Sequence, residues 1–221
     1  MSEPIPSATV VLLRDTPSGM KVLLLRRNSN IAYGGSWVFP GGRIDAEEFS
    51  VAGEDSLQAA RLAAVRETAE EASVVIGEQD LVFFSHWTTP VIRPKRFSTW
   101  FFLAPVTEKS VQIDGGEIHD FEWHTPAGAL QAQAAGEIEL QPPTFVTLTQ
   151  LLPFTAVADA LTHFSAREPV YIQPNVVKTE SAMVYLYDGD AGHREQNPDL
   201  PGIRHRLLQP RSGAWQYLCE L

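Results

Sequence analysis

The amino-acid sequence predicts a mixed α/β domain followed by an α+β extension. Three observations predict it. Apolar runs of strand length, such as Ala8–Arg14 and Met20–Arg27, flank a single long helical pattern over Ser56–Ser73. No internal repeat or low-complexity tract interrupts that order. Near Gln141-Pro142-Pro143 the pattern changes to two short helices and then to short strands. A soft boundary therefore falls near residue 142, dividing the chain into segments 1–141 and 142–221.

Each element has a local cause. Ala8–Arg14 and Met20–Arg27 are joined through Thr16-Pro17-Ser18-Gly19, where Pro and Gly suit a turn, so they read as a hairpin. Trp37–Phe39 is a short strand stopped by Pro40-Gly41-Gly42. Residues 43–54 read as an acidic, irregular stretch. Asp55 is placed to cap the long helix, with Gln58 as its capping-box partner, and Ser56–Ser73 is Ala-rich without Gly or Pro. Leu81–His86, Phe97–Leu103 and Phe121–Trp123 read as strands. Thr125-Pro126 opens a helix that Gly136 closes. Thr144–Leu152 and Ala156–Phe164 are helices split at Pro153. Val170–Lys178, Ala182–Tyr187, Arg206–Leu208 and Trp215–Leu218 return to strand, around a loop over 188–202.

Composition narrows the function classes. The 221 residues carry 17 Lys and Arg against 27 Asp and Glu, a net charge of −10. Nucleic-acid binding through phosphate contacts needs basic patches, so it is not expected. The single Cys219 excludes an intramolecular disulfide framework. No run approaches the ~20 apolar residues that cross a bilayer, and residues 1–6 lack the pattern of a secretory signal. A soluble, cytoplasmic protein without a membrane partner is the expectation.

Arg66-Glu67-Thr68-Ala69-Glu70-Glu71 carries the most chemistry. At about 100° per residue, Glu70 and Glu71 fall about −60° and +40° from Glu67, so one stripe holds all three carboxylates. Leu62, Val65, Ala69 and Ala72 fall on the opposite side and read as the buried seam. Like charges at this spacing repel by a few tenths of a kcal/mol per pair. Hard oxygen ligands so placed suit Mg²⁺ or Mn²⁺, although a solvated acidic helix face has the same pattern.

With Gly41-Gly42 upstream and Glu117 downstream, these residues resemble the Nudix hydrolase family. Its signature runs Gly, five residues, Glu, seven residues, Arg-Glu-apolar-x-Glu-Glu-x-Gly-apolar. Gly42 begins the match, and Arg66, Glu67, Glu70, Glu71 and Val74 end it. Residues 43–65 number twenty-three where the signature has thirteen, so ten are extra. Glu47, Glu48 and Glu54 are candidates for the isolated Glu. Ser73 stands where Gly is usual, and Thr68 where an apolar residue is. The insertion, Arg96–Phe102 and Pro142-Pro143-Thr144 are similar to a branch containing peroxisomal coenzyme A diphosphatases. The basic residue of that branch's further motif would fall at Ile31. The likeness covers about residues 8–152.

The resemblance implies an α/β/α sandwich with a mixed sheet and a hydrolase that cleaves a nucleoside diphosphate linked to another group, of coenzyme A, ADP-ribose or NADH type. It implies Mg²⁺ or Mn²⁺ held by Glu67, Glu70, Glu71 and the Gly41 carbonyl, with Glu117 as a further ligand or base. Arg66 and Gly42 would support the site. Arg93 and Arg96 read as phosphate contacts or as solubilising loop residues. A non-catalytic nucleotide-binding module is the alternative, and the apolar strands after residue 170 suggest a homodimer. Trp37 and Trp87 read as packing residues, and Asp188-Gly189-Asp190 as a turn.

Overall fold

The computed structural model describes residues 3–28, 34–107, 111–113 and 115–221. Ile31 and most of the 28–36 loop lie outside them. Strands β1 (Ile5–Thr16) and β2 (Gly19–Arg27) form the expected hairpin, closed at Thr16–Gly19. β3 (Ser36–Val38) pairs with β2, and β4 (Gly41–Arg43) turns back to pair with β1. Helices α1 (Ala46–Ala52) and α2 (Ser56–Ala72) follow. Then come β5 (Val82–Thr88), β6 (Phe97–Pro105), β7 (Ile118–His124), α3 (Pro126–Ala134), β8 (Glu139–Leu140), α4 (Pro142–Leu151), α5 (Val157–Ser165) and β9 (Val170–Ile172). β10 (Asn175–Lys178), β11 (Ala182–Leu186), β12 (His205–Pro210) and β13 (Gln216–Cys219) end the chain.

Among the described residues, nine strands form one mixed sheet, with β6 parallel to β1 and β2 antiparallel to it. β10 to β13 form a second, antiparallel sheet. The alternation of β1 splits the core. Ala8, Val10 and Leu12 join the cluster beneath α2, whereas Val11 and Leu13 join one with Phe145, Leu148 and Val157 of α4 and α5. Tyr185, Tyr187 and Leu207 bring the second sheet into that same cluster. Each fully buried Leu or Val there contributes roughly 1.5–3 kcal/mol. Trp37 and Trp87 are buried core residues, as expected. Among the described residues, no helix is long and apolar enough to cross a membrane.

Three expectations are corrected. Residues 43–54 are not irregular: they complete β4 and form α1. The expected strand Val170–Lys178 is two strands in different sheets, separated at Gln173-Pro174, because Pro174 offers no N–H to a ladder. The buried side of α2 is nearly opposite to the expected one. Ala59, Ala60, Ala63, Ala64, Thr68 and Glu71 are buried; of the expected seam Ala72 is buried, Leu62 and Val65 are half-buried and Ala69 is exposed. Methyl-sized side chains let the helix lie close to β1 and β4. An alanine stripe also has almost no hydrophobic contrast, so Leu62 and Val65 dominated the periodicity.

Candidate metal centre and active site

The helix orientation decides where the carboxylates go. Asp55 caps α2 by accepting from the backbone N–H of Leu57 and Gln58, both at 3.0 Å. With the alanine stripe on the sheet, Glu71 faces β4 and is only 7% exposed. It accepts the Gly41 N–H at 2.9 Å. Glu67 lies against Gly42, so closely that a β-carbon at Gly42 would occupy the Glu67 carboxylate. Gly41 faces the same limit on its other side, against the Ala8 carbonyl and Thr9 of β1. The two glycines let a strand and an acidic helix meet without side chains between them.

Arg66 organises the rest. Its Nε donates to Glu48 Oε1 at 2.6 Å, and its Nη1 donates to Glu67 and Glu70, each at 2.9 Å. Nη2 donates to the Arg43 carbonyl at 3.0 Å, tying α2 to β4. Burial would lower the Arg66 pKa, but its contacts to Glu48, Glu67 and Glu70 hold the guanidinium charged. Glu48 also accepts the Asp45 N–H, capping α1. Glu48 therefore occupies the place of the isolated signature Glu, and the ten extra residues fall after it. The signal was available: five residues separate Gly42 from Glu48.

The centre is electrostatically loaded. Burial raises the Glu71 pKa to about 8 against the opposing Gly41 hydrogen bond, and the charges of Glu67 and Glu117 add to the rise. Burial also raises Glu67, against its contact with Arg66. Glu117 pairs with Arg27 at 3.3 Å beside the β2–β7 ladder, and its charge reaches both buried glutamates. Arg27 partly offsets the charge on Glu71. From sequence, Arg27 reads only as the end of a strand.

Glu67, Glu71, Glu117, Gly41, Gly42 and Arg66 thus come together, with the half-exposed Glu70 at the rim. Arg93 and Arg96 stand apart, in the loop between β5 and β6. Ile5, the partner of Phe97, is four residues from Thr9, the partner of Gly41, or about 13 Å along β1. Arg96 is buried and donates to the Thr89 carbonyl at 3.0 Å, bracing that loop. Among the described residues, no three His, Cys, Asp or Glu side chains are already arranged as a cage for an ion. The donor set nevertheless suits a hard divalent cation. It offers carboxylate oxygens whose charge burial disfavours, beside a glycine strand that leaves them room.

The NUDIX domain family matches residues 4–145, and the chain belongs to that family. Among relatives, it is 29% identical over 126 residues to the human acyl-coenzyme A diphosphatase NUDT19, covering 54% of this chain and 34% of that protein. The chain thus spans about a third of the human relative's length. It is 23% identical over 228 residues to putative nudix hydrolase 7 of Caenorhabditis elegans, covering 86% and 75%. In fold, it is similar to a NUDIX hydrolase of Alicyclobacillus acidocaldarius, with a TM-score of 0.68, 22% identity and coverage of 76% and 100%. The NUDIX domain of Shewanella oneidensis NrtR, solved with ADP ribose, gives a TM-score of 0.53 at 22% identity, covering 69% and 89%.

Proposed function

We propose that this chain is a metal-dependent hydrolase that cleaves the diphosphate linkage of a nucleoside diphosphate joined to another group. The observation that carries this reading is the contact of Glu67 and Glu71 with Gly41-Gly42, locked by Arg66. Glu67, Glu70, Glu71 and the Gly41 carbonyl would hold Mg²⁺ or Mn²⁺, which when bound neutralises the diphosphate and polarises its phosphorus centre. Arg66 keeps the glutamates in register, since its fork engages three of them at once. Glu117 accepts the proton of the attacking water, and its ion pair with Arg27 at 3.3 Å holds the carboxylate in place for that task. Arg93 and Arg96, about 13 Å along β1 from the Gly41 contact, would serve the part of the substrate beyond the cleaved linkage, Arg93 by contact and Arg96 by bracing its loop. In this reading residues 1–141 form the catalytic domain, 142–221 form an extension packed on it, and the chain is a homodimer.

The human relative favours coenzyme A or acyl-coenzyme A as substrate, and the NrtR complex favours ADP-ribose; NADH has the same linkage. A release assay over these compounds with Mg²⁺ or Mn²⁺ tests the proposal. Turnover of at least one is expected, abolished by EDTA and reduced at least ~100-fold in Glu70→Gln and Glu71→Gln with folding intact. Wild-type turnover in both variants would remove the metal assignment. The irregular signature, with Ser73 in place of Gly and ten extra residues, favours a second reading, a module that binds the nucleotide without cleaving it. Calorimetric binding without product in the same samples would select it.

A further inference from the structure

We infer that Arg14, Lys21 and Trp123 form a phosphate-binding site on the α2 side of the main sheet, apart from the acidic centre. The site does not depend on the proposed hydrolysis.

The β1–β2 hairpin sets two cations side by side. Arg14 and Lys21 are direct register partners, so their side chains leave the same face, with β-carbons about 5 Å apart. Leu12 and Leu23, each two residues from one of the pair, belong to the cluster beneath α2, which fixes the face. Like charges directly opposite destabilise a ladder. Among the described residues, neither cation has an ion pair to relieve it. Asp15, the adjacent acid, leaves the opposite face and accepts the Val157 N–H of α5 at 3.0 Å.

Trp123 of β7 completes the group. It is the register partner of Leu23 and so shares the face. The Arg14 guanidinium lies over its ring at 3.9 Å. Stacking occupies the flat side of a guanidinium and leaves its five N–H donors, which lie in its plane, to other partners. Arg14 Nε and Trp123 Nε1 are both buried, and neither has a hydrogen-bond partner among the described residues. Burial lowers the Arg14 pKa, and no neighbouring acid offsets it. Desolvated donors of one sign cost free energy that an anion recovers. A phosphate suits them better than a carboxylate: two oxygens take the Arg14 fork and a third meets the Lys21 ammonium, whereas a carboxylate spends both oxygens on the fork. Arg14 stands five residues along β1 from Thr9, the partner of Gly41, or about 17 Å. The phosphate bound there is therefore not the linkage held at the glutamates.

Inorganic phosphate is the probe, titrated into the full chain in EDTA at constant ionic strength, with acetate in parallel. The NMR signals of Arg14 Nε–H and Trp123 indole N–H should shift saturably with phosphate, and acetate should bind at least ~10-fold more weakly. Lys21→Ala should weaken phosphate binding at least ~10-fold, the loss of one charge-assisted contact. Arg14→Lys, which keeps the charge and loses the fork, should weaken it as much. Lys21→Glu should pair with Arg14 across the ladder, raise the thermal midpoint in phosphate-free buffer and abolish phosphate binding. Should the Arg14 variant fail to fold, the two Lys21 variants, at a half-buried position, decide the matter. No saturable shift at either signal overturns the inference. Equal affinity for acetate overturns it too, as does undiminished phosphate binding in Lys21→Ala or Lys21→Glu.

Discussion

Gly42 and Ser73 show opposite uses of a missing or present β-carbon. At Gly42 the missing atom is the room in which Glu67 sits. Gly42→Ala is expected to displace that carboxylate, weakening Mn²⁺ binding by calorimetry and lowering turnover at least ~10-fold. At Ser73 the β-carbon is a burden. The residue ends α2 in the left-handed region, at φ 53° and ψ 30°, where L side chains cost roughly 1 kcal/mol. Ser73→Gly is therefore expected to stabilise the chain by about 0.5–1 kcal/mol, a gain of about 1–4 °C in thermal midpoint. The departure from the family signature at this position is legible in sequence, and the backbone angle explains its cost.

At the level of elements, α1 and α2 are joined by one side chain. Glu48 caps α1 through the Asp45 N–H and pairs with Arg66 of α2. Glu48→Ala removes both contacts. Urea denaturation should show a loss of about 1–3 kcal/mol, and turnover should fall because Arg66 no longer holds Glu67 and Glu70 in register. Glu48→Gln, which can still cap α1, should recover part of the stability and little of the activity. The hairpin, the span of α2 and its Asp55 cap were readable from turn residues, helix propensity and capping. The face that α2 buries was not. Alanines gave too little contrast to outweigh Leu62 and Val65, and the packing against β1 and β4 decided the matter. Glu67, Glu70 and Glu71 were legible from their spacing, whereas their grip by Arg66 and Gly41 depends on β4, whose glycines read in sequence only as the stop after Trp37–Phe39.

For the whole molecule, a buried ion pair within the second sheet bears on acid stability. Asp190 lies buried beneath the 188–202 excursion and receives Arg206 Nε and Nη2, each at 2.7 Å, together with the N–H of Gly192 and His205. Burial would raise the Asp190 pKa, but these donors hold it down to about 2. A carboxyl depressed in the folded state stabilises fully above its unfolded pKa and loses that contribution as pH falls toward the folded value. The pair should contribute on the order of 2 kcal/mol at neutral pH, lost between about pH 4 and pH 2. Asp190→Asn should flatten that part of the profile and lower stability at pH 7, as read by denaturant midpoints across pH. The turn at Asp188-Gly189-Asp190 was legible in sequence. Its partner Arg206 lies sixteen residues beyond Asp190, and only the strand pairing brings the two together.

The bond between Glu48 and Arg66 fastens the two ends of the inserted stretch at its base, so the intervening chain can lengthen without moving the glutamates. Gly53, open to solvent between the two helices, is a natural splice point. A fluorescent reporter grafted there would sit beside the acidic helix yet outside its clasp, a handle for sensing what the chain binds.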